Sequence, residues 1–298
     1  FVGYNPINSK KEIVNCYNVL NDLCTLGNVQ KMYIPPLLDK TKSLQENQIL
    51  NEIEIVKKLN INKDSRLLEL GCGCGRISQL ISSNFDCYVY GINIDKKQIE
   101  NANKFKLKKG NKKTNFIHGD FNYPLQFENN YFDGIYAVQP LTYCNDLLKN
   151  FKEFFRVLKP GKRLIIQDLA LLDNFDKKNK KHIEKTIKAR LVMEAGGMWH
   201  YKFWNNCATQ AGFNIISSNP AETPYNLDIP DLPLLKSEHK NYDKIKKFIK
   251  ILENLKIIPN YVSKLIERLR EGADELIEME EQKLLTMSWN LLLEKPKN

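Results

Sequence analysis

Three glycines at alternate positions constrain the fold of this chain more than any other feature. They stand in Glu69-Leu70-Gly71-Cys72-Gly73-Cys74-Gly75, between the apolar run Arg66–Leu70 and the helical stretch Ile77–Ile81. A strand, a tight glycine turn and a helix in this order are typical of the nucleotide-binding βαβ unit. Because glycine has no Cβ, it takes positive φ easily and lets a ligand approach backbone N–H groups at the positive end of a helix. The motif therefore predicts an α/β fold with a ligand at this turn.

The spacing of the glycines indicates which ligand. Dinucleotide folds usually carry Gly-x-Gly-x-x-Gly, whereas this turn has Gly-x-Gly-x-Gly with Glu69 two residues before Gly71. This spacing favours S-adenosylmethionine, whose amino-acid end needs a carboxylate and backbone atoms rather than an anion cradle. The alternative is a glycine turn that binds nothing, and the flanking strand and helix make it the less favoured interpretation.

Composition limits the remaining choices. With 298 residues and 42% hydrophobic content, the chain can form one α/β domain with insertions or two small domains. No apolar run is as long as a membrane span and no signal peptide pattern is visible. The seven cysteines show no pairing pattern, and a zinc ion at Cys72 and Cys74 would obstruct the glycine turn, so we expect no metal. A reducing, cytoplasmic compartment is expected.

The net charge of +10 is compatible with a nucleic-acid partner. The lysines are scattered, as in 177–181, without aromatic residues between them, so a solvated surface is the favoured explanation. The predicted fourth strand is followed by Gln139-Pro140-Leu141-Thr142 and not by the Asn-Pro-Pro-Tyr type of motif found in enzymes that methylate base amines. We therefore expect no nucleic-acid partner, and an RNA methyltransferase remains a minority alternative.

Alternating apolar runs and helical patterns predict the rest of the sheet. We expect a helix over 43–59, a second strand and the start of its helix over 86–95, and a third strand with its loop over 114–121. A fourth strand over 131–139, a helix over 147–158 closed by Pro160-Gly161, a fifth strand over 163–168 and two amphipathic helices near the C-terminus follow. Ligands bind at the carboxyl ends of parallel strands. Asn93 and Asp95 end the second strand, where a ribose is usually bound, although Asp95 could equally be a helix N-cap. Asp120 and Phe121 follow the third strand, where adenine would lie.

The whole pattern resembles class I S-adenosylmethionine-dependent methyltransferases, and in detail the sterol C-methyltransferase family. The matching stretches are Gly91-Ile92-Asn93, 154–161, 173–176, Gln210-Ala211-Gly212-Phe213, 273–276 and Glu294-Lys295-Pro296, so the resemblance runs from about residue 25 to the end. It implies a Rossmann-like seven-stranded sheet. It also implies a helical lid segment over 1–45, a methyltransferase core over 46–220, and a substrate-binding extension over 221–298 that completes the sheet.

The resemblance also implies roles for individual residues. The donor S-adenosylmethionine would be held by Glu69, Gly71, Cys72, Gly73, Gly75, Asn93, Gln98, Asp120, Phe121 and Gln139. The catalytic candidates are Asp168, at the end of the fifth strand where the family also has an acid, together with Gln139 and Tyr143.

One position departs from the family. Plant and fungal sterol side-chain enzymes have a Glu at the end of the fourth strand and then a His-containing loop, whereas this chain has Gln139 followed by Tyr143-Cys144. A glutamine cannot act as a base or balance a carbocation by charge. We therefore expect methylation at ring carbon 4, beside a 3-oxo group, rather than at the side-chain alkene, as in the nematode-type sterol 4-methyltransferases.

A sterol or similar apolar molecule needs an apolar wall. Tyr33, Pro35, Met193 and Trp199 are the expected wall residues, with Ile34, Met198 and the region 225–235. The two C-terminal helices could pack on the sheet, form a dimer face or contact a membrane, and packing is favoured. Peripheral contact with the endoplasmic reticulum membrane and homo-oligomerisation stay open, as does a terpenoid acceptor or a side-chain sterol.

Overall fold

Seven strands form a single sheet in the order β3-β2-β1-β4-β5-β7-β6. The computed structural model describes residues 31, 33, 35–193, 197–221, 242–258, 260 and 262–297. The strands are β1 (Arg66–Leu70), β2 (Tyr88–Asn93), β3 (Thr114–His118), β4 (Phe132–Val138), β5 (Leu158–Leu171), β6 (Asn214–Pro220) and β7 (Leu285–Glu294). All neighbours pair in parallel except β7, which runs antiparallel to both β5 and β6. The predicted seven-stranded sheet is confirmed.

Helices cover both faces of the sheet. They are α1 (Leu44–Lys57), α2 (Arg76–Phe85), α3 (Lys96–Lys109), α4 (Leu147–Val157), α5 (Lys180–Met193), α6 (Tyr201–Gln210), α7 (Tyr242–Asn254) and α8 (Val262–Glu281), with a 3-10 turn at Leu141–Tyr143. Local sequence explains their starts, as in α1, where Ser43 and Glu46 form a capping box. The proline and glycine after α4 do not make a loop, because the chain enters β5 directly at Leu158.

The last strand, β7, lies between β5 and β6 in the sheet. Behind it, the ammonium group of Lys295 donates to Asn130 Oδ1 at 2.7 Å and to the backbone oxygens of Phe155 and Leu158 at 2.7 and 2.8 Å. Lys295 is only 8% exposed, so these three acceptors satisfy a buried cation. They tie the end of β7 to the end of α4.

The C-terminal helices differ from each other. Leu276 and Met279 of α8 are buried with Met198 and Met287 over the carboxyl edge of the sheet, which confirms the predicted packing for this helix. The α7 region instead exposes Phe248, Ile251, Leu255 and Ile257. Within the described ranges no helix has the length and apolarity to cross a membrane. Ile34, the side chain of Met193 and the region 225–235, all predicted to line the acceptor, lie outside the described residues.

Candidate active site

In the glycine turn after β1, only one of the three glycines has free space beside its Cα. Gly71, Gly73 and Gly75 have φ values of +70°, +51° and +71°. A Cβ on Gly71 would lie 2.6 Å from Pro140 Cβ, and one on Gly75 would lie 2.4 Å from the ring of Phe116, so packing requires both glycines. A Cβ on Gly73 would meet only Gln98 Oε1, at 3.9 Å. Free space for a ligand therefore lies over Gly73.

Glu69 holds the turn together from inside. One of its oxygens, Oε2, accepts hydrogen bonds from Ser78 Oγ in α2 and from Tyr136 Oη in β4, the latter at 2.9 Å. Burial raises the pKa of Glu69 to about 7, against the lowering effect of these two donors. The carboxyl group is 2% exposed, so it fixes the strand, the turn and the helix relative to one another. Its predicted contact with the donor stays a prediction.

The end of β2 faces the open glycine. Asn93 Nδ2 donates to Gln98 Oε1 at 2.6 Å, and Gln98 is the residue beside Gly73. Asp95 accepts from the backbone N–H of Lys97 at 2.8 Å, so it is the N-cap of α3, one of the two predicted alternatives. The structure thus brings Gly73, Asn93 and Gln98 together at the carboxyl edge.

The loop after β3 is shaped by amides that sequence analysis missed. Asp120 Oδ1 accepts from the backbone N–H and the Nδ2 of Asn122, at 2.9 and 3.0 Å. Asn150 of α4 donates to the backbone oxygen of Phe121 at 2.7 Å. These bonds hold the predicted adenine-binding loop in place.

Cys72 has a packing role in the turn. It lies in a small apolar cluster with Ile99, Ala102 and Phe116. Burial raises the pKa of its thiol well above the usual value, so the side chain is a neutral packing group. Its predicted contact with the donor stays a prediction.

Gln139 follows β4 with a φ of +58°, an uncommon backbone conformation for a residue other than glycine. Its backbone N–H donates to Gln167 O at 2.8 Å, and its Nε2 donates to Met287 O of β7 at 3.1 Å. The amide therefore reaches from the end of β4 to β7. Tyr143, in the 3-10 turn that follows, accepts at its backbone oxygen from Asn122 Nδ2 at 3.0 Å.

Asp168 lies beneath this loop and is fully buried. Its oxygens accept from the backbone N–H groups of Leu141 at 2.6 Å and Leu169 at 2.8 Å, and it also accepts from the backbone of Thr142. Burial raises its pKa to about 7, against the lowering effect of these donors. In this structure Asp168 positions the loop after β4, and its catalytic role stays a prediction.

A β-bulge at Met287 and Ser288 interrupts the pairing of β7 with β5, between the pairs Asp168–Trp289 and Ala170–Thr286. At the bulge, the backbone N–H of Met287 donates to Glu280 Oε2 at 2.8 Å, and Thr286 Oγ1 donates to Glu280 Oε1 at 3.1 Å. Burial raises the pKa of Glu280 to about 7, against the lowering effect of these two bonds. The buried hydroxyl of Ser288 has no hydrogen-bond partner in the described part of the chain.

Trp199 borders an apolar cavity of about 260 Å³ at the end of β5, and its ring stacks on Phe203 with centroids 5.5 Å apart. The cavity is lined by Leu171, Phe175, Asp176, Lys177, Met198, Trp199, His200 and Phe203. It is smaller than the roughly 300–1,000 Å³ usual for whole ligands. Trp199 therefore borders an apolar cavity, and its contact with an acceptor stays a prediction.

Tyr33 and Pro35 lie elsewhere. The Tyr33 hydroxyl donates to Glu52 Oε1 at 2.7 Å, and its backbone oxygen accepts from Gln48 Nε2 at 2.7 Å, so this segment packs along α1. Both residues are buried, and neither lines the cavity at Trp199. The structure therefore does not unite the four predicted wall residues, and a contact of Tyr33 or Pro35 with the acceptor stays a prediction.

Comparison with known proteins identifies the family of this fold. A family model described as a methyltransferase domain matches residues 61–212, which span the glycine turn and the carboxyl edge from β1 to α6. The chain belongs to the methyltransferase domain family. S-adenosylmethionine is therefore its cofactor and methyl transfer its reaction class.

Two relatives and one solved structure show how far the likeness extends. Methyltransferase phqN of Penicillium fellutanum is 30% identical over 210 residues, covering 67% of this chain and 63% of that protein. Sterol 24-C-methyltransferase erg-4 of Neurospora crassa is 24% identical over 273 residues, covering 83% and 70%. The mycolic acid cyclopropane synthase CmaA1, solved with S-adenosylhomocysteine, superposes with a TM-score of 0.67 at 16% identity, covering 89% and 90%. This chain thus spans less than two thirds of phqN, and it is a class I methyltransferase related to the sterol enzymes.

The residues present fit the cofactor. The open space over Gly73 lies beside Gln98 and Asn93, whose amides can bind the polar groups of the donor, and the backbone of the Asp120 loop is fixed nearby. When bound, S-adenosylmethionine supplies an activated methyl group on its sulfonium sulfur. Sequence analysis missed Glu280 and the bulge at Met287, because no short motif indicates a β-bulge or the carboxyl group that accepts from its backbone.

Proposed function

We propose that this protein transfers the methyl group to a carbon atom of a sterol or a similar apolar molecule, and that the carbon is ring carbon 4 beside a 3-oxo group. The observation that carries this proposal is Gln139. Its amide nitrogen already donates one hydrogen bond to Met287 O at 3.1 Å and has a second hydrogen for an acceptor oxygen. A donor at this place stabilises an enolate oxygen, which develops negative charge.

The apolar surroundings of this amide support a nonpolar acceptor. Met287 belongs to the buried cluster of Leu169, Leu171, Met198 and Leu276, which continues to the cavity beside Trp199. In such surroundings water is scarce, so an enolate carbon keeps its reactivity toward the sulfonium methyl. The chain's contribution is to hold that carbon about 3 Å from the methyl group.

A side-chain alkene is the second candidate acceptor. It is favoured by the relatives, since the Neurospora crassa protein is named a sterol 24-C-methyltransferase. Methylation of an alkene produces a carbocation, which a nearby carboxylate stabilises better than the neutral amide of Gln139. The two candidates therefore differ in the charge that develops beside this residue.

A panel of acceptors tests the proposal. The protein is incubated with methyl-labelled S-adenosylmethionine and, separately, with a 3-oxo sterol, the matching 3-hydroxy sterol, a sterol with a side-chain alkene, a linear terpenoid and total RNA. We expect label in the 3-oxo sterol, with the new methyl at carbon 4 by mass spectrometry and NMR. A new methyl on the side chain would transfer the assignment to the second candidate, and label in RNA above that in sterols would exclude both.

A further inference from the structure

Methylation of a carbon beside a carbonyl group requires a base, and three carboxyl groups of the described residues have a pKa raised to about 7 by burial. They are Glu69 in β1, Asp168 in β5 and Glu280 near the end of α8. A pKa near the working pH suits a general base, but a base must also reach the acceptor. The choice among the three therefore depends on which carboxyl group an acceptor can reach.

Two of the three carboxyl groups are enclosed. Glu69 is 2% exposed beneath the glycine turn, where Ser78 and Tyr136 donate to it. Asp168 is 0% exposed, and both of its oxygens accept from backbone N–H groups. Neither has an exposed face that an acceptor could reach.

Glu280 has a different setting. It is only half-buried, and it lies where the end of α8 meets the bulge of β7. The backbone of Met287 joins it to Gln139, because the N–H of Met287 donates to Glu280 at 2.8 Å and its oxygen accepts from Gln139 at 3.1 Å. A carboxylate has about four lone-pair positions, and the two bonds to Thr286 and Met287 leave room for a further partner.

We infer that Glu280 is the catalytic base that removes the proton from the carbon to be methylated, an inference that rests on the proposed function. The carboxylate takes the proton, and the C–H electron pair forms the enolate, whose oxygen accepts from Gln139. The enolate carbon then bonds to the methyl group as the S–CH3 electrons return to sulfur. S-adenosylhomocysteine and protonated Glu280 remain, and the proton leaves to water.

Glu280→Gln tests the base, because a glutamine still accepts from Met287 and can donate to Thr286. Glu281→Gln, at the exposed neighbouring position, is the matched control. We expect kcat on the 3-oxo sterol to fall about 100-fold or more in Glu280→Gln, with the dissociation constant for S-adenosylmethionine unchanged and the melting temperature not lowered. The wild type should gain activity as the pH rises through about 7, and Glu280→Gln should lose this dependence. Wild-type turnover in Glu280→Gln overturns the inference.

Carbodiimide labelling tests access without any turnover. Dicyclohexylcarbodiimide at pH 6 modifies carboxyl groups that are protonated and reachable from an apolar pocket. By peptide mass spectrometry we expect modification of Glu280 but not of Asp168 or Glu69, and protection when S-adenosylhomocysteine and the 3-oxo sterol are both present. An unlabelled Glu280 overturns the assignment of the base while label transfer to the sterol keeps the proposed function. Failure to methylate any apolar acceptor overturns both.

Discussion

The turn at Gly73 and the bulge at Met287 lie at the same edge of the sheet but are assembled differently. The donor side comes from one stretch, in which Glu69, Gly73, Asn93 and Gln98 belong to consecutive elements. The acceptor side depends on Gln139 and Met287, which are 148 residues apart and meet only because β7 enters the sheet beside β5. A local motif therefore specifies the cofactor, while the sheet topology brings together the residues of the proposed acceptor side.

The largest expected effect is the loss of S-adenosylmethionine binding when the donor side alone is changed. Gly73→Val places a side chain in the open space, so we expect calorimetry to detect no binding of S-adenosylmethionine, a loss of at least about 100-fold, or roughly 3 kcal/mol. The matched control is Gly110→Val, because Gly110 has a φ of +66° and nothing within 4 Å. Both variants carry similar backbone strain of about 1–3 kcal/mol, yet only the first should lose the donor. Equal affinities in two folded variants would contradict the cofactor site.

The next effect is on the pH dependence of stability, and it distinguishes Asp168, which positions a loop, from Glu280, the proposed base. Asp168 has a folded-state pKa of about 7 against an ordinary value of 3.8, so the folded state binds its proton more tightly. Its contribution to stability is full below a pH of about 4 and is lost as the pH rises through about 7, and roughly 2–3 kcal/mol of this loss falls between pH 5 and pH 8.

Asp168→Asn should remove that part of the slope, whereas Glu280→Gln, at a half-buried residue, should change it less. Urea unfolding of the wild type and both variants at pH 5 and pH 8 measures the difference. If the wild type and Asp168→Asn show the same change in stability over this interval, the raised pKa of Asp168 is wrong.

The smallest expected effect is on kcat/KM, and it tests the charge that develops at the acceptor side. Gln139→Glu sets a carboxylate against the carbonyl oxygen of Met287, beside the place where an enolate develops. We expect kcat/KM on the 3-oxo sterol to fall about tenfold, or ~1.4 kcal/mol, with donor affinity preserved. Gln139→Met serves as the control without charge. Faster ring methylation by Gln139→Glu would argue that a cation develops there instead.

Sequence reasoning succeeded where chemistry is local. The strand, turn and helix around Gly73 and the first five strands were predictable, because apolar periodicity and glycine spacing act over few residues. The seven-stranded sheet, with β6 and β7, was expected only from the resemblance to the methyltransferase family. The motif alone could not show that Gly71 and Gly75 are needed for packing against Pro140 and Phe116.

Long-range contacts limited the prediction of the acceptor side. Asp168 ends a strand, as expected, but its burial beneath Leu141 and Thr142 depends on how the loop after β4 folds back. The hydroxyl of Tyr33 donates to Glu52 in α1, a contact that the sequence did not indicate. Neither contact follows a period or a short motif, so only the assembled sheet shows them.

The position of β7 also sets the order in which the molecule can be completed. In the described part of the chain β6 pairs with β7 alone, so residues 214–220 have no partner strand until residues 285–294 have been synthesised. Until then the edge of β5 is open, and an unpaired apolar edge is a site for pairing with other chains. We therefore expect a chain still being synthesised to carry an exposed edge at β5, and the pairing of β7, with Lys295 bound at the end of α4, to come late in folding.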